Sequence, residues 1–170
     1  RLLQLTAALL CAVILSACGG APADADYTCT VSISCATILD NMDQCAESKK
    51  ELVPADGVIL PPTEVAFAEG ESAFDVLQRV CRDNGIHLES KFTPVYNSAY
   101  IQGIHNIYEF DVGKLSGWMY AVNDWFPNYG CSLYQVQDGD VIRWVYTCDL
   151  GADVGGGQAA GDGQQEGAST

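Results

Sequence analysis

Apolar and polar positions change rhythm several times between Tyr27 and Tyr146, and each rhythm predicts an element. Tyr27–Ser34 (Y-T-C-T-V-S-I-S) alternates with period two, the pattern of a strand. Ile38, Leu39, Met42, Cys45 and Ala46 recur at helical spacing and predict a helix over about Ala36–Lys50. Pro54, Asp56-Gly57 and Pro61-Pro62 then mark a turn-rich passage before a short strand at Val65–Ala68. The clearest helix follows, with Ser72 as N-cap and Asp75 three residues on. Phe74, Leu77, Val80 and Cys81 share its apolar face, and Gly85 is the stop. Beyond it, short runs predict strands at Ile86–Lys91, Tyr100–Ile104, Tyr108–Phe110, Gly117–Asn123, Ser132–Val136 and Val141–Tyr146. Gly113, Asn123-Asp124, Gly130 and Asp138-Gly139-Asp140 punctuate them as turns. Few helices among many short antiparallel strands predict an α+β fold, a curled sheet packed on one main helix.

The N-terminus follows a different pattern. Leu2–Ile14 is apolar except for Gln4 and Thr6 and follows a single base. Such a run is too short to cross a bilayer as a helix but suits the core of an export signal. It ends in Leu15-Ser16-Ala17-Cys18-Gly19-Gly20, and small residues ahead of a Cys at this place resemble the bacterial lipobox. In that family the signal is cut before the Cys, which is then acylated. The resemblance implies a signal peptide at 1–17, a lipidated Cys18 and a spacer over 18–26. The protein would then be tethered at the bacterial cell surface, outside the cytoplasmic membrane, with no transmembrane helix. An ordinary export signal with an incidental Cys is the alternative. Arg1 in place of an initiator Met leads us to expect a fragment at this end.

Removing the signal changes the cysteine arithmetic. Of eight cysteines, six remain unlipidated: Cys29, Cys35, Cys45, Cys81, Cys131 and Cys148. An even number in an exported domain reads as a disulfide framework whose pairing the sequence leaves open. No C-x-x-C occurs and the two His stand alone, which disfavours a metal site. The charge narrows the partners: 22 acids against 8 bases give −14. Neutralising nucleic-acid phosphates or docking on anionic lipid through a basic face needs clustered Lys and Arg that this chain lacks. Every Trp, Tyr, Phe and Met beyond the signal lies in 27–151, the expected domain, whereas 152–170 is Gly, Ala, Gln and acid and reads as a disordered tail or linker.

One stretch carries a family resemblance. Ser116-Gly117-Trp118-Met119-Tyr120-Ala121-Val122-Asn123, then Pro127, Gly130, Tyr134 and Asp138-Gly139-Asp140-Val141-Ile142-Arg143-Trp144, resembles the signature of the transcobalamin-like C-terminal domain family, DUF4430. Phe74-Asp75-Val76-Leu77 and Tyr100-Ile101-Gln102-Gly103-Ile104 are similar to the segments that precede it there. The resemblance implies a β-grasp-like domain, and with it the small lobe that caps one face of cobalamin in the vitamin carriers. Where the family commonly has Asn-Gly after Val122, this chain has Asn123-Asp124. Asp tolerates positive φ less well than Gly, so another turn geometry is expected there.

The candidate ligand contacts are Trp118, Tyr120, Asn123, Trp125, Phe126 and Tyr134. Trp118 and Tyr120 sit two apart on one strand face, and Trp125 and Phe126 fall in the loop after it. A flat apolar macrocycle such as a corrinoid would be held by aromatic contact and backbone amides, with no cofactor or metal ligand required. Trp144 reads as core. His87 reads as a sheet residue and His105 as a turn residue, and neither has a partner in a recognisable catalytic order. Asp138-Gly139-Asp140 reads as a hairpin turn, since it lacks the remaining ligands of a calcium loop. No phosphate loop, G-x-S-x-G or H-E-x-x-H occurs, so no catalytic residue is assigned and no enzyme is expected. Two classes remain: a surface-anchored ligand-binding module for cobalamin or another corrinoid, helped by a helical partner lobe, or an adhesive module engaging a protein or glycan.

Overall fold

The computed structural model describes residue 22 and residues 25–156. The expected export signal, Cys18 and the Gly-rich segment beyond Gly156 lie outside the described residues. Seven strands and one α-helix follow in the order β1 (Tyr27–Ser34), β2 (Val58–Phe67), α1 (Ala73–Asp83), β3 (Leu88–Thr93), β4 (Ser98–Ile104), β5 (Ile107–Tyr108), β6 (Gly117–Val122) and β7 (Val141–Thr147). The fold is α+β.

The expected single sheet is two: four strands ordered β2-β1-β7-β6, and three ordered β3-β4-β5. β1 runs antiparallel to β2 and parallel to β7, with Ile33 beside Trp144. β6 pairs antiparallel with β7, setting Trp118 opposite Tyr146 and Tyr120 opposite Trp144. β4 is tied to a loop rather than to the four-stranded sheet. Ala99 N donates to Ser132 Oγ at 3.0 Å, and the Ser98 and Ser132 hydroxyls meet at 2.9 Å.

α1 forms where its caps predict. Ser72 Oγ accepts from Asp75 N at 3.2 Å and Asp75 Oδ2 accepts from Ser72 N at 2.9 Å, two orphan donors satisfied reciprocally. Gly85 ends it at φ 64°, a conformation that suits a residue without Cβ. Val76, Leu77, Val80 and Cys81 enter the core with Val31, Ile33, Ile142 and Trp144. Arg79, itself buried, pairs with Glu71 and donates to Ala66 O at 2.9 Å, clamping the helix to β2.

Several expected elements change. The helix over Ala36–Lys50 is instead two 3-10 turns, Ala36–Asn41 and Glu47–Leu52. Asn41 Nδ2 bonds Thr37 O at 2.8 Å, and Thr37 Oγ1 donates to Tyr146 O at 2.5 Å, so short polar side chains draw the backbone out of the α path. The short strand at Val65–Ala68 is the end of the ten-residue β2, which carries Pro61-Pro62 because it is an edge strand. Ser132–Val136 is not a strand, and only Gln135 makes an isolated bridge there, to Ser72. Its neighbourhood serves the helix instead: Tyr134 O accepts from Ala73 N at 2.9 Å and Cys131 O from Phe74 N at 3.3 Å. The Asn123-Asp124 turn keeps the left-handed geometry after all, with φ 49° and 66°, closed by Val122 N to Trp125 O at 2.8 Å. Asp124 is held there by Arg143 at 2.9 Å. The fold also continues past 151: Ala152–Val154 makes a 3-10 turn, and Val154 packs on Phe126, Ala121 and Val145.

The expected disulfides are not formed. Cys29, Cys35, Cys45, Cys81, Cys131 and Cys148 are free thiols, and all but Cys148 are buried. They act as small apolar side chains with weak donors, Cys131 Sγ lying 3.7 Å from Ala99 O and Cys45 Sγ 3.7 Å from Ala46 O. Burial pushes the thiols of Cys29, Cys35, Cys81 and Cys131 up to about 12, leaving them un-ionised at neutral pH. Among the described residues no helix is long and apolar enough to cross a membrane.

Candidate ligand-binding cleft

Two segments that lie far apart in sequence face each other across an open cleft of about 410 Å³. One wall is the β3–β4 hairpin, with Thr93, Tyr96, Ser98, Ala99 and Tyr100; the other is the loop Pro127–Gly130. A second hollow of about 180 Å³ shares Ala99, Tyr100, Pro127 and Gly130 with the first and reaches inward to Trp118, Tyr120 and Trp144. Tyr96, Tyr100 and Tyr129 line the first and stay exposed, and Trp125 stays exposed against Tyr129. Exposed aromatics gathered on one concave surface are what a binding site for an apolar ligand requires. The lining carries no Lys, Arg, Asp or Glu.

The walls are held by their backbones, which frees the rings. Tyr120 OH donates to Tyr129 O at 3.0 Å, pinning the loop while the Tyr129 ring meets Trp125 edge-on at 5.9 Å. A Cβ on Gly130 would stand 1.7 Å from Ser98 Oγ, so only glycine lets the loop lie this close to β4. Tyr100 OH donates to Glu109 Oε2 at 2.6 Å; burial and that carboxylate push its hydroxyl up to about 12. Beneath the floor, Tyr120 stacks on Trp144 at 5.4 Å. Trp144 Nε1 is buried without a hydrogen-bond partner among the described residues, an unmet donor under the inner hollow.

The residues expected from sequence divide three ways. Trp118 and Tyr120 reach the inner hollow but are mostly core: Trp118 Nε1 donates to Ile107 O at 2.8 Å and its ring meets Tyr146 edge-on. Trp125 is exposed as expected, at 51%, whereas its neighbour Phe126 is 6% exposed and packs on the opposite face of β6 and β7. The tight turn ends at Trp125, so the next side chain is directed to the other side. Asn123 and Tyr134 are brought together elsewhere, on the buried Asp140. Asn123 Nδ2 donates to Asp140 Oδ1 at 2.8 Å, Tyr134 OH to Asp140 Oδ2 at 2.8 Å and Gln137 N to the same oxygen at 2.8 Å. This locks the Asp138-Gly139-Asp140 turn, as expected of turn residues. Trp144 is core, His105 sits in a turn at φ 55°, and His87 lies just ahead of β3.

Sequence reasoning did not single out Tyr96, Tyr100 and Tyr129, which line the cleft. Only Tyr96 carried a local signal, in Thr93-Pro94-Val95-Tyr96-Asn97-Ser98, a turn sequence that exposes a large side chain. Among the described residues no group of three or more His, Cys, Asp or Glu is placed to hold a metal ion.

Residues 70–148 match the family model described as Domain of unknown function (DUF4430). No curated protein matches the chain. Among solved structures the chain is similar to haptocorrin in complex with Cbi, with 13% identity and a TM-score of 0.54, over 73% of this chain and 25% of that one. It thus spans about a quarter of haptocorrin's length, and at this identity the likeness shows the fold. It is also similar to a Ruminococcus gnavus ATCC 29149 protein whose function has been proposed as metal binding, with 15% identity and a TM-score of 0.42, over 72% of this chain and 97% of that one.

Proposed function

Residues 70–148 match the DUF4430 family model, and from that likeness we propose that this is a non-enzymatic, lipid-anchored binding module. Its aromatic cleft covers one face of a flat, largely apolar ligand, with cobalamin or another corrinoid as the candidate. The observation that carries this reading is the gathering of exposed Tyr96, Tyr100 and Tyr129 along one uncharged cleft, with Trp125 exposed against Tyr129 beside it. Flat rings stack on aromatic side chains whose positions are fixed, and here the backbone bonds fix them without consuming the rings. The cleft's about 410 Å³ is near the lower end of ligand pockets, and its open shape suits covering a face rather than enclosing a molecule. A helical lobe, on this protein's continuation or on a partner, would close the other side. The buried, un-ionised thiols offer no nucleophile, in keeping with a binding role. The anchor is the lipid on Cys18; Cys18→Ala releases the protein from membranes, and unchanged detergent-dependent retention refutes that part.

The test is calorimetric and spectroscopic titration with cobalamin and cobinamide, with and without a candidate helical lobe. Removing two stacking aromatics commonly weakens binding at least about tenfold, so Tyr96→Ala with Tyr129→Ala should do so while the fold persists. No corrinoid binding by the unaltered chain at any accessible concentration, lobe included, would replace this reading with an adhesive one, in which the rim engages a protein or glycan.

A further inference from the structure

The three-stranded sheet ends on β3, which has β4 on one side and no strand on the other among the described residues. Its sequence is Leu88-Glu89-Ser90-Lys91-Phe92-Thr93, half-buried only at its two ends, with Phe92 58% exposed. An open edge of this kind is a template for another strand, and proteins commonly blunt it with Pro, a bulge or an unmatched charge. β3 contains no Pro, and the one irregularity in its pairing falls on β4, where Gln102 is the extra residue between Ile101 and Gly103. Lys91 is the remaining candidate for such a guard, and it makes no ion pair among the described residues.

We propose that β3 is a self-complementary edge on which two copies of this chain pair antiparallel about a two-fold axis through Ser90. The register comes from the strand itself. With Ser90 opposite Ser90, Leu88 of each copy lies opposite Phe92 of the other, and Glu89 lies opposite Lys91. Residues 88, 90 and 92 share one face and 89, 91 and 93 the other. Apolar therefore meets apolar on one face while opposite charges meet on the other, and each match occurs twice. Directly opposed pairs are the unit of sheet stabilisation. Neighbouring registers lose this. An axis through Glu89 or Lys91 sets like charges face to face, and an axis between Ser90 and Lys91 sets Glu89 against Phe92. Lys91 thus guards the edge against apolar strands while finding its partner in a second copy.

The pairing has a geometric result for the cleft. A two-fold axis perpendicular to the sheet keeps the same face up in both copies. Thr93 lines the cleft and Tyr100 lies opposite Lys91, so the two clefts would flank the seam and open on one side of the joined sheet. The pairing itself does not depend on what the cleft binds. The charge of −14 on each chain keeps the association weak at low ionic strength, where repulsion is least screened.

Two measurements on the whole chain in detergent at physiological ionic strength test it. Opposed strand residues lie ~4.5–5.5 Å apart, within disulfide reach. Ser90→Cys should therefore cross-link to itself under mild oxidation, whereas Lys91→Cys, which faces Glu89 of the other copy, should not. In sedimentation, Glu89→Lys and Lys91→Glu should each weaken the dimer at least about tenfold, and the two together should restore it to within about threefold of the starting chain. Restoration by the double swap excludes a folding defect, since Glu89→Lys also removes the acceptor of the Tyr108 hydroxyl. A chain that stays monomeric at high concentration, a Ser90→Cys variant that does not cross-link, or a dimer indifferent to the swaps overturns the proposal.

Discussion

Phe126 and Trp125 are adjacent aromatics in one loop, and the fold assigns them opposite duties that unfolding can separate. Phe126 sits against Ala121, Val145, Met119 and Val154, with the backbone of Gly156 so near that a Cβ there would stand 3.1 Å from the ring. Phe126→Ala leaves a cavity beneath the 152–156 segment. Core Phe→Ala changes cost about 3–5 kcal/mol; this cluster is small and its covering segment can partly close, which favours about 3 kcal/mol. For a domain of this size that is a fall in Tm of about 10 °C. Trp125→Ala forfeits mainly the edge contact with Tyr129 at 5.9 Å, about 1 kcal/mol. Urea unfolding followed by far-ultraviolet circular dichroism measures both, with the slope checked for constancy so that midpoints report stability. Equal losses for the two variants, or a Phe126→Ala loss below that of Trp125→Ala, would refute the division of the loop into a core side and a cleft side.

Asp140→Ala should cost about 3 kcal/mol, since it strands the Tyr134 hydroxyl, the Asn123 amide and Gln137 N around a buried position; a loss within error of zero in the same unfolding assay would show that the turn holds without its carboxylate. Thiol titration of the native chain near pH 8 should find Cys148 reacting ahead of the buried five, with all six of residues 29–148 reacting in denaturant without reductant. Fewer than six would reinstate disulfides. Burial, with the acceptors Glu109 and Asp140, raises the Tyr100 and Tyr134 hydroxyls to about 12. The folded chain therefore keeps these protons between about pH 10 and 12 after the unfolded chain has released them, so stability falls as pH rises through that window. Absorbance at alkaline pH should show the two titrating late, and phenolate formation near pH 10 at both would contradict the structure.

The sequence patterns that proved legible were local and cooperative. Ser72, Asp75 and Gly85 specify α1 because cap, box and stop lie within one short segment and need no distant partner. β6 and β7 were legible because their alternation is strong and their turn chemistry unambiguous. What failed depended on competition between segments. Ser132–Val136 has strand-like composition, but its neighbouring carbonyls are claimed by the first turn of α1, a demand visible only in three dimensions. Ala36–Lys50 has helical spacing, yet Asn41 and Thr37 divert the backbone. The disulfide expectation rested on the arithmetic of an exported domain and not on the packing that makes each cysteine a small apolar residue. Of the candidate contacts, Trp118 and Tyr120 were placed on one face by strand parity, and Trp125 by its position in the loop that follows. Asn123 and Tyr134 were assigned by resemblance and turn out to serve Asp140, while Tyr100 and Tyr129 went unseen because the facing of two segments distant in sequence leaves no periodic trace.

The contact between Gly130 and Ser98 limits how this cleft can diversify. A single hydrogen atom on Gly130 sets the spacing of the two walls, and any larger group must lift the Pro127–Gly130 loop from β4 and take Tyr129 with it. The floor is therefore frozen, whereas Tyr96 and Tyr129 stand on it like interchangeable fittings that substitution can alter without moving the base. Relatives that take different ligands should differ at those two rims and agree at Gly130, and selection for a new ligand in the laboratory should yield changes at the rims first.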